Sequence, residues 1–149
     1  MIWKPHVTVA AVIEKDNRFL LVEEHIEGNA VFNQPAGHLE QGESLLDAVN
    51  REVLEETACH FHPGALLGAY LYRLKEKRRS YLRFCFSGDV EAPAPGRTLD
   101  KEIITTHWLT LDEIQARKDH LRSPMVLQCI RDYLGGTRLP LTCLHDLEA

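Results

Sequence analysis

Glu52, Glu55 and Glu56 crowd into one short stretch of the chain, with Arg51 immediately before them. In a helix of about 3.6 residues per turn, Glu52 lies three and four positions from its two neighbours, so all three carboxylates project from one face. Such a patch offers only oxygen donors, which suits a hard divalent cation. The patch works against the helix that carries it. Glu52 and Glu56 form a like-charge i,i+4 pair that costs roughly 0.2–0.5 kcal/mol, near the end where the macrodipole favours cations. A bound cation would turn that local cost into a site, and a solvated acidic face is the plain alternative.

The neighbouring residues give the patch a frame. Gly37 and Gly42 bracket a loop that ends in Glu43, and Ser44 with Asp47 has the spacing of a capping box that starts a helix. Leu46, Val49 and Val53 recur at intervals of three and four, an apolar stripe that anchors the helix on a sheet while its carboxylates stay available. Asp47, Arg51 and Glu55 follow at intervals of four, a charge ladder that would hold Glu55 in one rotamer. Gly37 reads as a residue needed for backbone conformation, or simply as a turn glycine.

In this order and spacing, Gly37, Glu43, Arg51, Glu52, Val53, Glu55, Glu56 and Cys59 resemble the Nudix box; Ala58 alone departs, standing where the family has glycine. Glycine suits the left-handed residue that closes a helix, so alanine there should alter stability or helix length more than chemistry. Outside the box, the segments from Lys4 to Ala10, Asn33 to Glu40, Tyr81 to Phe84 and Leu121 to Pro124 look like the NudJ-like phosphatase subgroup of the family. The resemblance implies an α+β protein, a three-layer α/β/α sandwich with a mixed sheet, as one domain over residues 1–149. It also implies a Mg²⁺-dependent hydrolase, with Mn²⁺ as a substitute, cleaving phosphoanhydrides in nucleoside di- and triphosphates and thiamine-related pyrophosphates. The alternatives are a nucleotide-pool, dinucleoside polyphosphate or RNA 5′-end pyrophosphohydrolase, and a Nudix module that binds nucleotides without turnover. The proline that the ADP-ribose subgroup carries beyond the box falls here on Arg73.

Carried over position by position, the resemblance makes Glu52 and Glu56 metal ligands and Glu55 a ligand or the positioner of the attacking water. Arg51 would orient the carboxylates, and Glu43 would cap or orient the helix. Glu102, in a region where the family often supplies a further acid, is expected as base or ligand, with Asp100 as its competitor and an exposed loop acid as the alternative. Arg83 sits inside the otherwise apolar run YLRFCF, where a charge must be paired or must serve a ligand; a phosphate is one partner and a carboxylate the other. Lys4, His6 and Gln34, in segments shared with the subgroup, are expected near the base or outer phosphate, each weighed against an ordinary surface or satisfied polar role. Lys75 to Arg79 reads as a solvated hairpin tip, and His60 with His62 lacks the partners of a zinc site.

The chain of 149 residues carries 44% hydrophobic and 26% charged residues, ordinary globular composition. A net charge of -5 argues against a general nucleic-acid coat, so anionic substrates must be met by metal and local cations. Cys59, Cys85, Cys129 and Cys143 show no paired spacing, and no run spans a bilayer; reduced thiols, a cytoplasmic location and a monomer, with a homodimer as the alternative, are the expectations. Strands are predicted from His6 and from Arg18 as a hairpin turning at Lys15–Asn17, then over 65–74, 79–90 and 103–109, with helices after Ser44, over 111–117 and over 124–134.

Overall fold

The computed structural model describes all residues from Met1 to Ala149. Two four-stranded sheets and three helices make up the architecture. In the first sheet, β5 (Ala36–His38), β1 (His6–Val12), β7 (Arg79–Val90) and β6 (Phe61–Leu74) lie side by side. The β1–β7 pair is parallel and its neighbours are antiparallel, so the sheet is mixed. In the second, β3 (Arg18–Ile26) pairs with β2 (Glu14–Lys15), β4 (Asn29–Asn33) and β8 (Ile103–Leu109).

Strand β1 explains the layering. Its residues from Val9 to Val12 are buried on both faces, the pattern of a central strand covered on each side. Val9 and Ala11 pack with Ala48, Val49 and Val53 of α1 (Leu45–Thr57). Ala10 and Val12 pack with Val126, Cys129 and Ile130 of α3 (Met125–Leu134), and with Ile114 of the short α2 (Leu111–Ala116). The result is the expected α/β/α sandwich, with each core between sheet and helix.

The expected β1–β3 hairpin is corrected. β1 belongs to the first sheet, and only Glu14–Lys15 folds back on β3 through a turn whose Asp16 and Asn17 both have positive φ. The turn was legible, because Asp and Asn tolerate that region. The change of sheet at Ile13 was not, because Ile13 continues the apolar run without a break. Strands β4 and β5 lie where no strand is predicted. β6 starts at Phe61, ahead of its expected start, and accommodates Gly64 and Leu67 at two register shifts.

Candidate active site

Helix α1 starts where its capping box places it. Ser44 Oγ accepts from Asp47 N at 3.0 Å, and Ser44 N donates to Asp47 Oδ2 at 3.1 Å. Asp47 is thereby committed to the cap, so the charge ladder expected from it begins instead at Arg51. At the other end Ala58 adopts φ 62°, ψ 13°, the left-handed closing position, with its N–H on Leu54 O. The carbonyls of this last turn, which lack partners in the helix, accept from the 91–102 segment: Ala94 N reaches Ala58 O at 2.8 Å and Asp100 N reaches Glu55 O at 3.1 Å.

Arg51 is the hub of the box. Its Nε and one terminal nitrogen donate to the two oxygens of Glu43 at 3.0 and 2.7 Å. The other terminal nitrogen donates to Glu52 at 2.7 Å and Glu55 at 3.3 Å, and His38 O accepts a further bond at 3.0 Å. A guanidinium has five N–H donors in a fixed fork, and these bonds occupy them all. Glu43 also accepts from Glu40 N, so both of its oxygens serve the loop and Arg51, and the hydrogen bond from Arg51 holds its carboxyl below the usual range.

Glu52 and Glu56 are buried, with Glu55 half-buried beside them. Gly37 lies in extended β5, opposite Val9, and its φ is not positive; the expectation of a conformational role is corrected to one of space. A Cβ on Gly37 would stand 2.1 Å from the Glu52 carboxyl carbon. Burial pushes the Glu52 carboxyl up to about 7 against the pull of Arg51, and Glu55 and Asp100 add to the rise. Burial likewise pushes Glu56 up to about 9, although Ala36 N donates to its Oε1 at 2.8 Å.

Carboxylate oxygens of Glu52, Glu55 and Asp100 lie within 4.8 Å of one another. The trio fits a divalent cation: its donors are all carboxylate oxygens, and like charges held together in a partly buried place are relieved by positive charge. Glu56, expected as a ligand, stands outside this trio and faces Ala36 N and the side of Glu24. Of the two loop acids weighed from the sequence, Asp100 reaches the cluster, and Glu102 lies exposed at the cleft beyond it.

A family model for the NUDIX domain matches residues 4–129. The chain belongs to the Nudix family. Phosphatase NudJ of Escherichia coli strain K12 is 40% identical over 146 residues, covering 98% of this chain and 94% of the relative. Among solved structures, a NUDIX hydrolase from Nitrosomonas europaea superposes with a TM-score of 0.94 at 50% identity, covering 97% of this chain and 98% of that one. A MutT protein from Methanosarcina mazei follows at 0.74 and 25%, covering 93% of this chain. This Nudix chain is accordingly a hydrolase of the NudJ-like kind, acting on pyrophosphate bonds of small phosphorylated substrates.

The Nudix helix closes one end of a cleft of about 800 Å³ between the two sheets. Arg83 lines it from β7, although only 3% exposed. It has no carboxylate partner: one terminal nitrogen donates to Gln34 Oε1 at 2.9 Å, the other to Asn33 Oδ1 at 3.1 Å, and Nε has no partner. Gln34 is corrected from a substrate contact to a brace, since it is fully buried and its amide nitrogen donates to Val126 O at 2.7 Å. Exposed His6 stacks on Tyr81 with ring centroids 5.3 Å apart, behind the cleft wall that Tyr81 helps to form. Lys4 is exposed ahead of β1 and does not line the cleft.

Lys75 to Arg78 form the β6–β7 turn, with Lys77 on Glu27 of the β3–β4 turn at 3.6 Å; Arg79 and Arg122 add positive charge to the cleft. His62 pairs with Glu91 on the surface. All four cysteines are free, and no helix is long and apolar enough to cross a membrane. The sequence reading missed Glu24, Asn33 and Arg122 as cleft residues. For Glu24 a signal existed, a charge two residues after Val22 and so on the same face of the strand as that buried residue.

Proposed function

We propose that this protein is a Mg²⁺-dependent hydrolase, with Mn²⁺ as a substitute, for nucleoside di- and triphosphates and thiamine-type pyrophosphates. The observation that supports this most is the meeting of Glu52, Glu55 and Asp100, two of which, Glu52 and Asp100, line a cleft that also presents Arg79, Arg83 and Arg122. The cleft sets acid where a cation would sit and base where an anionic chain would run, which suits a diphosphate. Glu52, Glu55 and Asp100 would hold the metal, which when bound neutralises phosphate oxygens and lowers the barrier to attack by water.

The remaining work falls to the chain's own groups. Arg51 fixes Glu52 and Glu55 in one orientation, so no reorganisation is needed when substrate arrives. Glu55, the most exposed of the box glutamates, positions the attacking water and takes its proton. Arg83, already desolvated and with only neutral partners, offers its charge to the substrate. Gly37 lets the β5 backbone pass against the carboxylate of Glu52. Glu102 at the rim, and Glu56, which lines the cleft with Glu52 but lies outside the trio, are secondary acids in this reading. A single domain, a monomer and a cytoplasmic location complete it.

The test is phosphate or pyrophosphate release from a panel of nucleoside and thiamine-type diphosphates with and without Mg²⁺. Glu52→Gln should lower kcat/KM by about 10³-fold, as loss of one preorganised charged group does. Equal turnover by the variant, or turnover in excess chelator, would refute the assignment.

A further inference from the structure

The cleft continues along β7 beyond Arg83. Arg79, Tyr81 and Arg83 alternate on that strand, so they project from one face, and each lines the cleft. On the neighbouring β6, Leu74 pairs with Arg79 and Tyr72 with Tyr81, and both line it too. By register Arg83 is the one nearest the Nudix helix: it faces Thr8, which on its other side faces His38, next to the Gly37 that passes Glu52. Arg79 stands four residues further out, about 13 Å along the strand at about 3.3 Å per residue. From the helix to the mouth, this wall therefore presents a cation, an aromatic ring and a second cation.

The outer cations have almost nothing of their own to hold. The guanidinium of Arg79 donates no hydrogen bond and has no carboxylate within salt-bridge distance. Lys77, in the β6–β7 turn, lines the cleft and meets only Glu27, which lines it from the β3–β4 turn of the other sheet. Their separation is 3.6 Å and both side chains are more than half exposed, so the pair is too long for a hydrogen bond and is screened by solvent. A phosphate monoester brings nearly two negative charges and three acceptor oxygens, where Glu27 offers one charge at the limit of contact. Such a group would displace Glu27 from Lys77 and engage Arg79 as well.

We propose that Arg79 and Lys77 form a second anion subsite at the mouth of the cleft, which takes a further phosphate carried on the organic part of the substrate, with Glu27 as the placeholder it displaces. The inference rests on the reading that the diphosphate lies beside Glu52. One ligand spans both places because they share a wall, with Tyr72 and Tyr81 between them. The selected class is a nucleoside 5′-diphosphate that is also phosphorylated on its sugar, anionic on both sides of the ribose.

The experiment compares ADP with adenosine 3′-phosphate 5′-diphosphate in the wild type, in the double variant Lys77→Gln with Arg79→Gln, and in Glu27→Gln, each at low and at high salt. The readout is the ratio of kcat/KM for cleavage at the 5′ end, 3′-phosphorylated over plain, which cancels any loss common to both substrates. Calorimetric binding of the methylene-bridged analogues of the two runs beside it, and still reports the preference if the wild type hydrolyses neither. Such a failure of turnover would strike the proposed function alone. At low salt the wild type should favour the 3′-phosphorylated member by about fivefold or more, the scale of charge-assisted contacts discounted for exposure, and the ratio should shrink toward one at high salt. The double variant should bring it to about one or below. Glu27→Gln should raise it by about twofold or more, because the competing carboxylate is gone. A wild-type ratio within about twofold of one at low salt, in hydrolysis and binding alike, would overturn the proposal. So would a preference that persists in the double variant, or a fall of the ratio in Glu27→Gln, because the ion pair would then hold the shape of the mouth and not the place of a phosphate.

Discussion

Replacing Gly37 by alanine tests the tightest contact in the site. The added Cβ would stand 2.1 Å from the Glu52 carboxyl carbon and 2.2 and 2.3 Å from its oxygens. Carbon atoms in contact sit about 3.5–4.0 Å apart, so Glu52 or β5 must give way by more than about 1 Å. The carboxylate is boxed in, buried and bonded at 2.7 Å to Arg51, so its retreat breaks that bond and pulls one oxygen out of the acidic trio. A displacement of about 1 Å in a reacting constellation costs about 10²-fold, and overpacking costs about 1–3 kcal/mol. At about 2–4 °C per kcal/mol for a chain of this size, Tm should fall by about 2–12 °C. The assays are kcat/KM on a diphosphate substrate, Mn²⁺ affinity by electron paramagnetic resonance, and thermal melting by circular dichroism. Gly42→Ala is the control: its φ of +86° strains alanine, but nothing lies within 4 Å of the new methyl. That variant should lose stability and keep its Mn²⁺ affinity. Unchanged turnover, Mn²⁺ affinity and melting in Gly37→Ala would show that Glu52 has room to spare and would refute the reasoning.

Arg51→Lys should lower kcat/KM by about 10–100-fold, since an ammonium has three donors and cannot hold Glu43, Glu52, Glu55 and His38 O together; kinetics within about threefold of wild type would contradict it. Ala58→Gly should raise Tm by about 2–4 °C at unchanged activity, because it removes roughly 1 kcal/mol of left-handed strain; a fall in Tm would mean that the methyl contributes more by packing. In metal-free protein, Glu52 and Glu56 have carboxyls raised to about 7 and about 9, so their contribution is complete below the unfolded value of about 4.5 and is lost as pH rises through 7 and 9. Tm by calorimetry should therefore decline from pH 5 to pH 9, and saturating Mg²⁺, which favours the ionised forms, should flatten the decline; a metal-free Tm that climbs over this range would count against the burial argument. Glu56→Gln should melt higher than wild type at pH 9 without metal, yet turn over about 10²-fold more slowly; a lower Tm there would show that the charge is accommodated.

What the sequence disclosed follows from how local each feature is. The capping box of α1, its apolar stripe and the left-handed Ala58 depend on residues a few positions apart, and their spacing carried them. Asp100 reaches Glu52 across many residues of chain, and no local period announces that meeting; of the two loop acids the sequence favours Glu102, and the structure brings Asp100 to the cluster instead. Gly37 reads as a residue needed for backbone conformation because sequence shows a missing side chain but not the carboxylate that fills its place. Arg83 stands out as a charge in an apolar run, yet its neutral partners Gln34 and Asn33 lie some fifty positions away, and no local pattern ties them to it. The sheet exchange at Ile13 was hidden for the same reason as most long-range pairing: an unbroken apolar run fits one long strand as well as two short ones.

The loop from Glu91 to Glu102 is stitched to the last turn of α1 at Ala58 and again at Glu55. Its tip around Pro95 and Gly96 hangs between those two stitches and is free to vary in length, while the few residues from the second stitch onward set the reach of Asp100. Growth of the loop at its tip would leave the ligand geometry alone; one residue gained or lost beside Asp100 would slide that aspartate off the cation. The helix thus works as a ruler against which a remote stretch of chain is measured, and the coordination sphere inherits its accuracy from main-chain bonds that only a proline at the donor position would delete.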